Sequence, residues 1–179
     1  DLKQASHQFH LDYAIVRPHN VIGIRQNIWD KYRNVIGIWV RQVLRGEDIT
    51  IFGDGEQKRA FSDVRFCLEP MEKLMDQCNG QIFNIGSDKE YTLNDVAGIM
   101  QGVAGEYGFK PNIKHLEERN EVKYAYCDHT KAKSILGFKD ETSLESTIRE
   151  MFVWAMKQDD REVKQMPYEI EKGMYSYWK

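Results

Sequence analysis

The sequence predicts an α/β fold with parallel strands, on three observations. Two apolar runs, residues 13–16 and Gln81–Ile85, are continuous rather than alternating, as expected of strands covered on both faces. Helical periodicity recurs along the rest of the chain, with apolar residues three and four apart. Neither a repeat nor a low-complexity segment interrupts the order.

Taken in order, Leu2, Ala5 and Phe9 fall at helical spacing, and a first residue of Asp rather than Met leads to the expectation of a start inside a longer polypeptide. The alternative is that Asp1 with Gln4 forms a capping box opening a genuine first helix. The strand at 13–16 delivers Arg17 to Asn20 to a pocket edge. A polar and aromatic loop, 23–33, leads to a helix over 34–45 with Val35, Ile38, Trp39, Gln42 and Val43 near one face and Gly46 just past its end. Ile49–Phe52 reads as a short strand closed by the Asp54-Gly55 turn.

Met71, Leu74, Met75 and Cys78 predict a helix that starts at Glu69, because Pro70 is tolerated only in a first turn. The strand Gln81–Ile85 ends in Gly86-Ser87-Asp88. Thr92 with Asp95 then opens a helix bearing Leu93, Val96, Ala97 and Met100, and strand and helix together read as a βα unit. A short helix, 129–136, is capped by Asp128 and stops at Gly137. A longer one, opened by Thr142 and Glu145, carries Leu144, Ile148, Phe152 and Ala155 on one face. The tail, 159–179, is charged and then aromatic, and is expected to wrap over a surface.

Composition excludes several function classes. In 179 residues, 41% are hydrophobic and 30% charged, ordinary values for one compact soluble unit. A net charge of −3 lacks the footprint of a nucleic-acid binder, so any anion must be met locally. The three cysteines form no CxxC pair and are odd in number, which argues against a disulfide framework or a zinc site and fits a reducing cytosol. Asp128 and His129 look like metal ligands only in isolation, and no metal site is expected. The apolar run at 35–40 is broken by Gly37 and is too short to span a bilayer; no signal peptide is recognised and no membrane partner is expected.

The runs RPHNV, NVIG before an amphipathic helix, ITIFGDGEQ then Arg59, FNIGS, EVKYAYCDHTKAKSILGF and EKGMYSYWK stand in one order along nearly the whole chain. Together they resemble the second half of extended short-chain dehydrogenase/reductase enzymes acting on nucleotide sugars, most closely UDP-glucose 4-epimerases. That resemblance implies the C-terminal, substrate-binding part of an extended Rossmann-type fold, with two parallel strands of the Rossmann sheet and a small mixed α/β subdomain. The implied segments are 1–22 as the end of the Rossmann-type domain, 23–62 as substrate-binding subdomain, 63–92 as returning Rossmann helix and strand, and 93–179 as substrate-binding subdomain and tail.

The resemblance also implies roles. Phe52 would pack on uracil with the Thr50 backbone beside it, the alternative being a core strand residue. Arg59 and Arg119 would clamp the diphosphate, a task suited to the planar guanidinium, the alternative being solvated surface charge. Asn20 would bind the sugar-phosphate. Asn34 and the helix start at Val35 would meet the diphosphate, since a helix N-terminus favours anions, the alternative being a plain N-cap. Pro18 and His19 would border the nicotinamide of the cofactor.

Family members use NAD, held by a Gly-rich loop after their first strand, and a Tyr-x-x-x-Lys base just before the strand equivalent to 13–16. The chain is expected to lack both, to contain no catalytic residue, to bind no NAD by itself and to be inactive alone. Its two Rossmann strands, short of neighbours, are expected to drive self-association or docking with an N-terminal half. Ile24 stands where the family has Pro, Asp63 where it has Tyr, and Arg65 or Phe66 where it has an acid, which puts helix capping and substrate closure in question. The expected function is the nucleotide-sugar-binding portion of an NAD-dependent epimerase. The alternatives are a non-catalytic nucleotide-sugar-binding or docking module and, within the enzyme class, a dehydratase or decarboxylase.

Overall fold

A computed structural model describes residues 1–30, 33–77 and 80–163. The first helix, α1 (Leu2–Phe9), forms with Asp1 at its N-cap, but the Asp1 side chain makes no capping bond and none of the helix is buried. The Asp1–Gln4 capping box, the alternative reading of this end, is therefore not made. After it come β1 (Ala14–Pro18), β2 (Val21–Ile22) and α2 (Val35–Leu44). Asn34 caps α2 by accepting the Ile36 N–H at 3.0 Å, and Gly46 leaves the helix at φ 73°. The buried face of α2 includes Ile36 and Val40 beside Trp39, Gln42 and Val43, whereas Val35 and Ile38, expected on that face, are only half-buried.

Next are β3 (Ile49–Phe52), β4 (Lys58–Ala60), β5 (Ser62–Asp63) and α3 (Val64–Gln77). Helix α3 begins before the expected Glu69 and holds Pro70 in its interior. The reason is a start signal at Asp63, whose carboxylate accepts the Arg65 N–H at 2.9 Å. Burial of Cys67 and Leu74 then adds apolar contact on both sides of the proline. These terms offset the roughly 3 kcal/mol that an interior proline costs. Cys78, expected on the same helix, lies outside the described residues.

The remainder comprises β6 (Gln81–Ile85), β7 (Glu90–Thr92), α4 (Leu93–Glu106), β8 (Ile113–Leu116), β9 (Tyr124–Ala125), α5 (Thr130–Leu136) and α6 (Leu144–Ala155). The Thr92–Asp95 capping box of α4 is present, with both reciprocal bonds at 3.0 Å. Two expected caps differ: His129 takes the N-cap position of α5 while Asp128 accepts the Thr130 N–H at 2.8 Å, and Ser143 rather than Thr142 precedes α6. Residues 102–108 do contain one G-x-x-G-x-x-G spacing, contrary to the expectation of no such motif. Those glycines end α4 instead of opening a helix, so they present carbonyls where a phosphate loop needs N–H groups.

Parallel pairing dominates the sheets. β1 pairs with β6 from Ala14 opposite Gln81 to Pro18 opposite Ile85, β2 with β5, and β3 with β8. β4 joins β7 antiparallel and β9 parallel. β1 is less covered than its apolar run predicts: Ala14 to Val16 are half-buried, and Arg17 and Pro18 exposed.

Two buried clusters result. One gathers Phe83, Ile85, Cys67, Leu74, Ala132 and Leu136 around β6, α3 and α5; the larger packs α2, β3, α4 and α6 around Trp39, Ile51, Met100, Ile148 and Phe152. Helix α4 therefore does not complete a βα unit on β6. Conversely α5, grouped by sequence with the substrate-binding segment, packs on the β6 side. The result is a mixed α/β fold dominated by parallel strand pairs. Among the described residues no helix is long and apolar enough to cross a membrane.

Beyond α6 the chain turns back onto α2. Asp160 meets Arg45 at 2.5 Å, and Asp159 O accepts the Trp29 indole N–H at 3.1 Å. The aromatic end of the tail, with the wrapping expected of it, lies outside the described residues.

Candidate functional site

A cavity of about 370 Å³ opens where the end of β3, the N-terminus of α2, β4 and the segment before β9 converge. Asn20, Asn34, Val35, Thr50, Phe52, Arg59 and Arg119 all line it, so the fold brings together every residue expected to contact substrate. Pro18 and His19 do not line it.

Each lining residue is placed by local structure. Alternation along β3 buries Ile49 and Ile51 and turns Thr50 and Phe52 toward the opening. The Thr50 N–H is held by Gln42 Oε1 at 3.2 Å, and its carbonyl accepts the Trp39 indole N–H at 2.7 Å. Both backbone groups of Thr50 are thus tied to α2. Asn34 is the N-cap of α2, as the plain-cap reading has it, and it also borders the cavity. Asn20 sits in a left-handed turn at φ 43°, its carbonyl accepting the Ser62 N–H at 3.1 Å.

The two arginines converge on one carboxylate. Glu121 lies 3.6 Å from Arg59 and 3.5 Å from Arg119, and the Arg119 guanidinium sits 3.1 Å above the centre of the Phe52 ring. The cavity therefore contains its own anion, and the Phe52 face is covered by Arg119. Glu121 and Gln57, whose amide donates to Phe52 O at 2.9 Å, are lining residues the sequence reading missed. Glu121 stands two positions after Arg119 in the same charged run, which is the signal that marks it.

His19 belongs to a separate cluster. It follows β1 directly and lies beside Gly86, where a Cβ would fall 2.3 Å from the imidazole, so only glycine fits. Its Nδ1 is 2.9 Å from Cys127 Sγ, which is 3.4 Å from His129 Nε2; the two rings stack with centroids 5.0 Å apart. His129 is 2% exposed and its Nδ1 meets Asp88 Oδ1 at 3.0 Å. Burial, then the neighbouring His129 charge, pushes the His19 pKa down, and burial and Asp128 push the Cys127 thiol up. Burial would raise Asp88, but hydrogen bonds from His129 and Lys133 outweigh it and hold this carboxyl below its usual range.

Residues 1–86 match the NAD dependent epimerase/dehydratase family. The chain is 33% identical over 161 residues to a putative UDP-glucose 4-epimerase of Methanocaldococcus jannaschii, covering 89% of this chain and 50% of that protein. It is 31% identical to UDP-glucuronic acid decarboxylase 2 of Arabidopsis thaliana over 75% of this chain and 29% of that one. Among solved structures, UDP-glucose 4-epimerase of Thermotoga maritima with UDP-glucose superposes with a TM-score of 0.76 at 29% identity, over 87% of this chain and 50% of that one. The chain thus spans half or less of the length of these relatives.

Proposed function

The chain resembles the NAD dependent epimerase/dehydratase family, and from that premise we propose that it is the nucleotide-sugar-binding portion of an NDP-sugar epimerase. One observation carries the reading: Phe52, Arg59 and Arg119 meet at one cavity whose rim is the N-terminus of α2. Two guanidiniums and a helix start suit a diphosphate. The ring of Phe52 suits a base once Arg119 moves from its face to the phosphates. Asn20, which also lines the cavity, suits the sugar-phosphate.

Binding exchanges one anion for another. The diphosphate, with roughly two charges, displaces the single carboxylate of Glu121 from between the arginines and is the stronger partner for both. Pro18 ends β1 and His19 follows it, at the carboxyl end of the strand where parallel sheets bind their ligands. His19 Nε2 is buried with no partner among the described residues, which fits a polar neighbour such as the nicotinamide carboxamide. NAD, when bound, would supply hydride transfer; this chain's residues bind and orient the sugar nucleotide. The decarboxylase relative keeps a second reaction class open for the same binding role.

Calorimetry with UDP tests the proposal. The chain should bind UDP weakly, and Arg59→Ala should lower affinity roughly ten- to a hundredfold, the loss of a charge-assisted bond worth about 1.5–3 kcal/mol. No heat at millimolar UDP, or equal binding by Arg59→Ala, would overturn it.

A further inference from the structure

We propose that His19, Cys127 and His129 form a binding site for a zinc-type divalent cation, with Asp88 as its supporting carboxylate. The donor set is one thiol sulfur and two imidazole nitrogens, all within 4.8 Å of one another. Zinc takes this combination, and three protein donors leave its fourth tetrahedral position open. It runs against the expectation of no zinc site, which rested on the cysteine pattern: only Cys127 and His129 stand near each other in the chain, two apart, while His19 arrives from just beyond β1.

Geometry supports the set. Donors bound at 2.0–2.3 Å around a tetrahedral ion lie roughly 3.3–3.7 Å from one another. Cys127 Sγ is already 3.4 Å from His129 Nε2, and its 2.9 Å separation from His19 Nδ1 has to widen by several tenths of an ångström. The stacked rings aim their lone pairs side by side, so one imidazole must turn about its Cβ–Cγ bond to share an ion. His19 is the one able to turn, because no hydrogen bond to its Nε2 holds the ring among the described residues.

His129 is preset for the task. Asp88 Oδ1 at 3.0 Å fixes the proton on Nδ1 and leaves the Nε2 lone pair facing the sulfur, as carboxylate-supported histidine ligands are arranged. Asp88 is itself held by Lys133, and the His129 side chain is wholly enclosed. On binding, the thiol proton leaves to solvent and the thiolate and two neutral imidazoles coordinate the ion. None of these residues lines the cavity bearing Arg59 and Arg119, so the site stands or falls independently of UDP binding.

The test uses the whole chain, stripped with chelator and dialysed against Zn2+ or Co2+. One ion should be retained per chain, and the Co2+ form should show a thiolate-to-cobalt charge-transfer band. Cys127→Ser should abolish that band and lower Zn2+ affinity at least tenfold while leaving UDP affinity unchanged. Asp88→Asn should keep the band and weaken affinity about 10–100-fold. In a Cys67→Ser/Cys78→Ser chain, Cys127 is the sole thiol left of three, and the band should persist. No retained ion in the unaltered chain would overturn the proposal and leave a hydrogen-bonded thiol. So would a band that survives Cys127→Ser.

Discussion

Glu121 sets the charge of the cavity. Between Arg59 and Arg119 it cancels one of two positive charges, so under the proposed function it would screen the site and compete with an incoming diphosphate. Glu121→Gln keeps the shape and removes the competitor. UDP affinity is expected to rise roughly fivefold, the scale of about 1 kcal/mol for one partly solvated charge, and to fall more steeply with salt. Titration at two ionic strengths reads both effects; weaker binding by the variant would contradict this account.

Asp63 resolves the question its place in the sequence raised. Burial acts to raise its pKa, but Arg65, through guanidinium and backbone bonds, and the Thr147 hydroxyl at 2.8 Å together hold it below the usual carboxylate value. A carboxyl depressed in the folded state contributes stability that is present above its unfolded pKa and is lost as pH falls through the folded one. Asp63→Asn should therefore cost about 1.5–3 kcal/mol at pH 7. The difference from the unaltered chain should shrink below about pH 4. Denaturant midpoints across pH decide it, and a pH-independent difference would refute it. At this scale, positions set by local order, such as Asn34 before a helix and Phe52 ending a strand, were legible in the sequence. The Cys127–His19 contact was not, because 108 positions separate the two residues.

Elements with self-contained signals were read correctly, and α4 with its capping box is the clearest case. Helix α3 was misread because Pro70 is a strong local veto that tertiary packing and the Asp63 cap override. The strain remains measurable. Pro70→Ala restores the bond to the Phe66 carbonyl, worth about 3 kcal/mol of helix propensity, and gives up about 1.6 kcal/mol of ring burial. Added freedom in the unfolded chain takes roughly 0.4–1 kcal/mol more. The net expectation is a gain of up to about 1 kcal/mol, and a lower denaturation midpoint would show that ring packing matters more.

For the whole molecule, the apolar runs foretold parallel pairing, but the assignment of helices to cores depended on contacts no local pattern encodes. Helices α4 and α5 are the cases in point. The β1–β6 pair has both outer edges unpaired among the described residues, and α1 buries nothing while exposing Phe9 at 70%. Unpaired parallel edges and exposed apolar side chains favour association. Light scattering of the isolated chain should show mass rising with concentration; a constant monomer mass would count against it.

The register of the sheets also governs the order in which the chain assembles. Ala14 waits for Gln81, Ile49 for Ile113 and Lys58 for Tyr124, and even the antiparallel pair spans from Ala60 to Glu90. No strand of the described sheets finds its partner across a tight turn. Every pairing thus requires a long loop to close before any contact offsets its entropy, which places folding in the slow regime of high contact order. On a ribosome β1 would emerge well before its partner, leaving Ile15 and Val16 exposed to chaperones or to a neighbouring nascent chain for the interval.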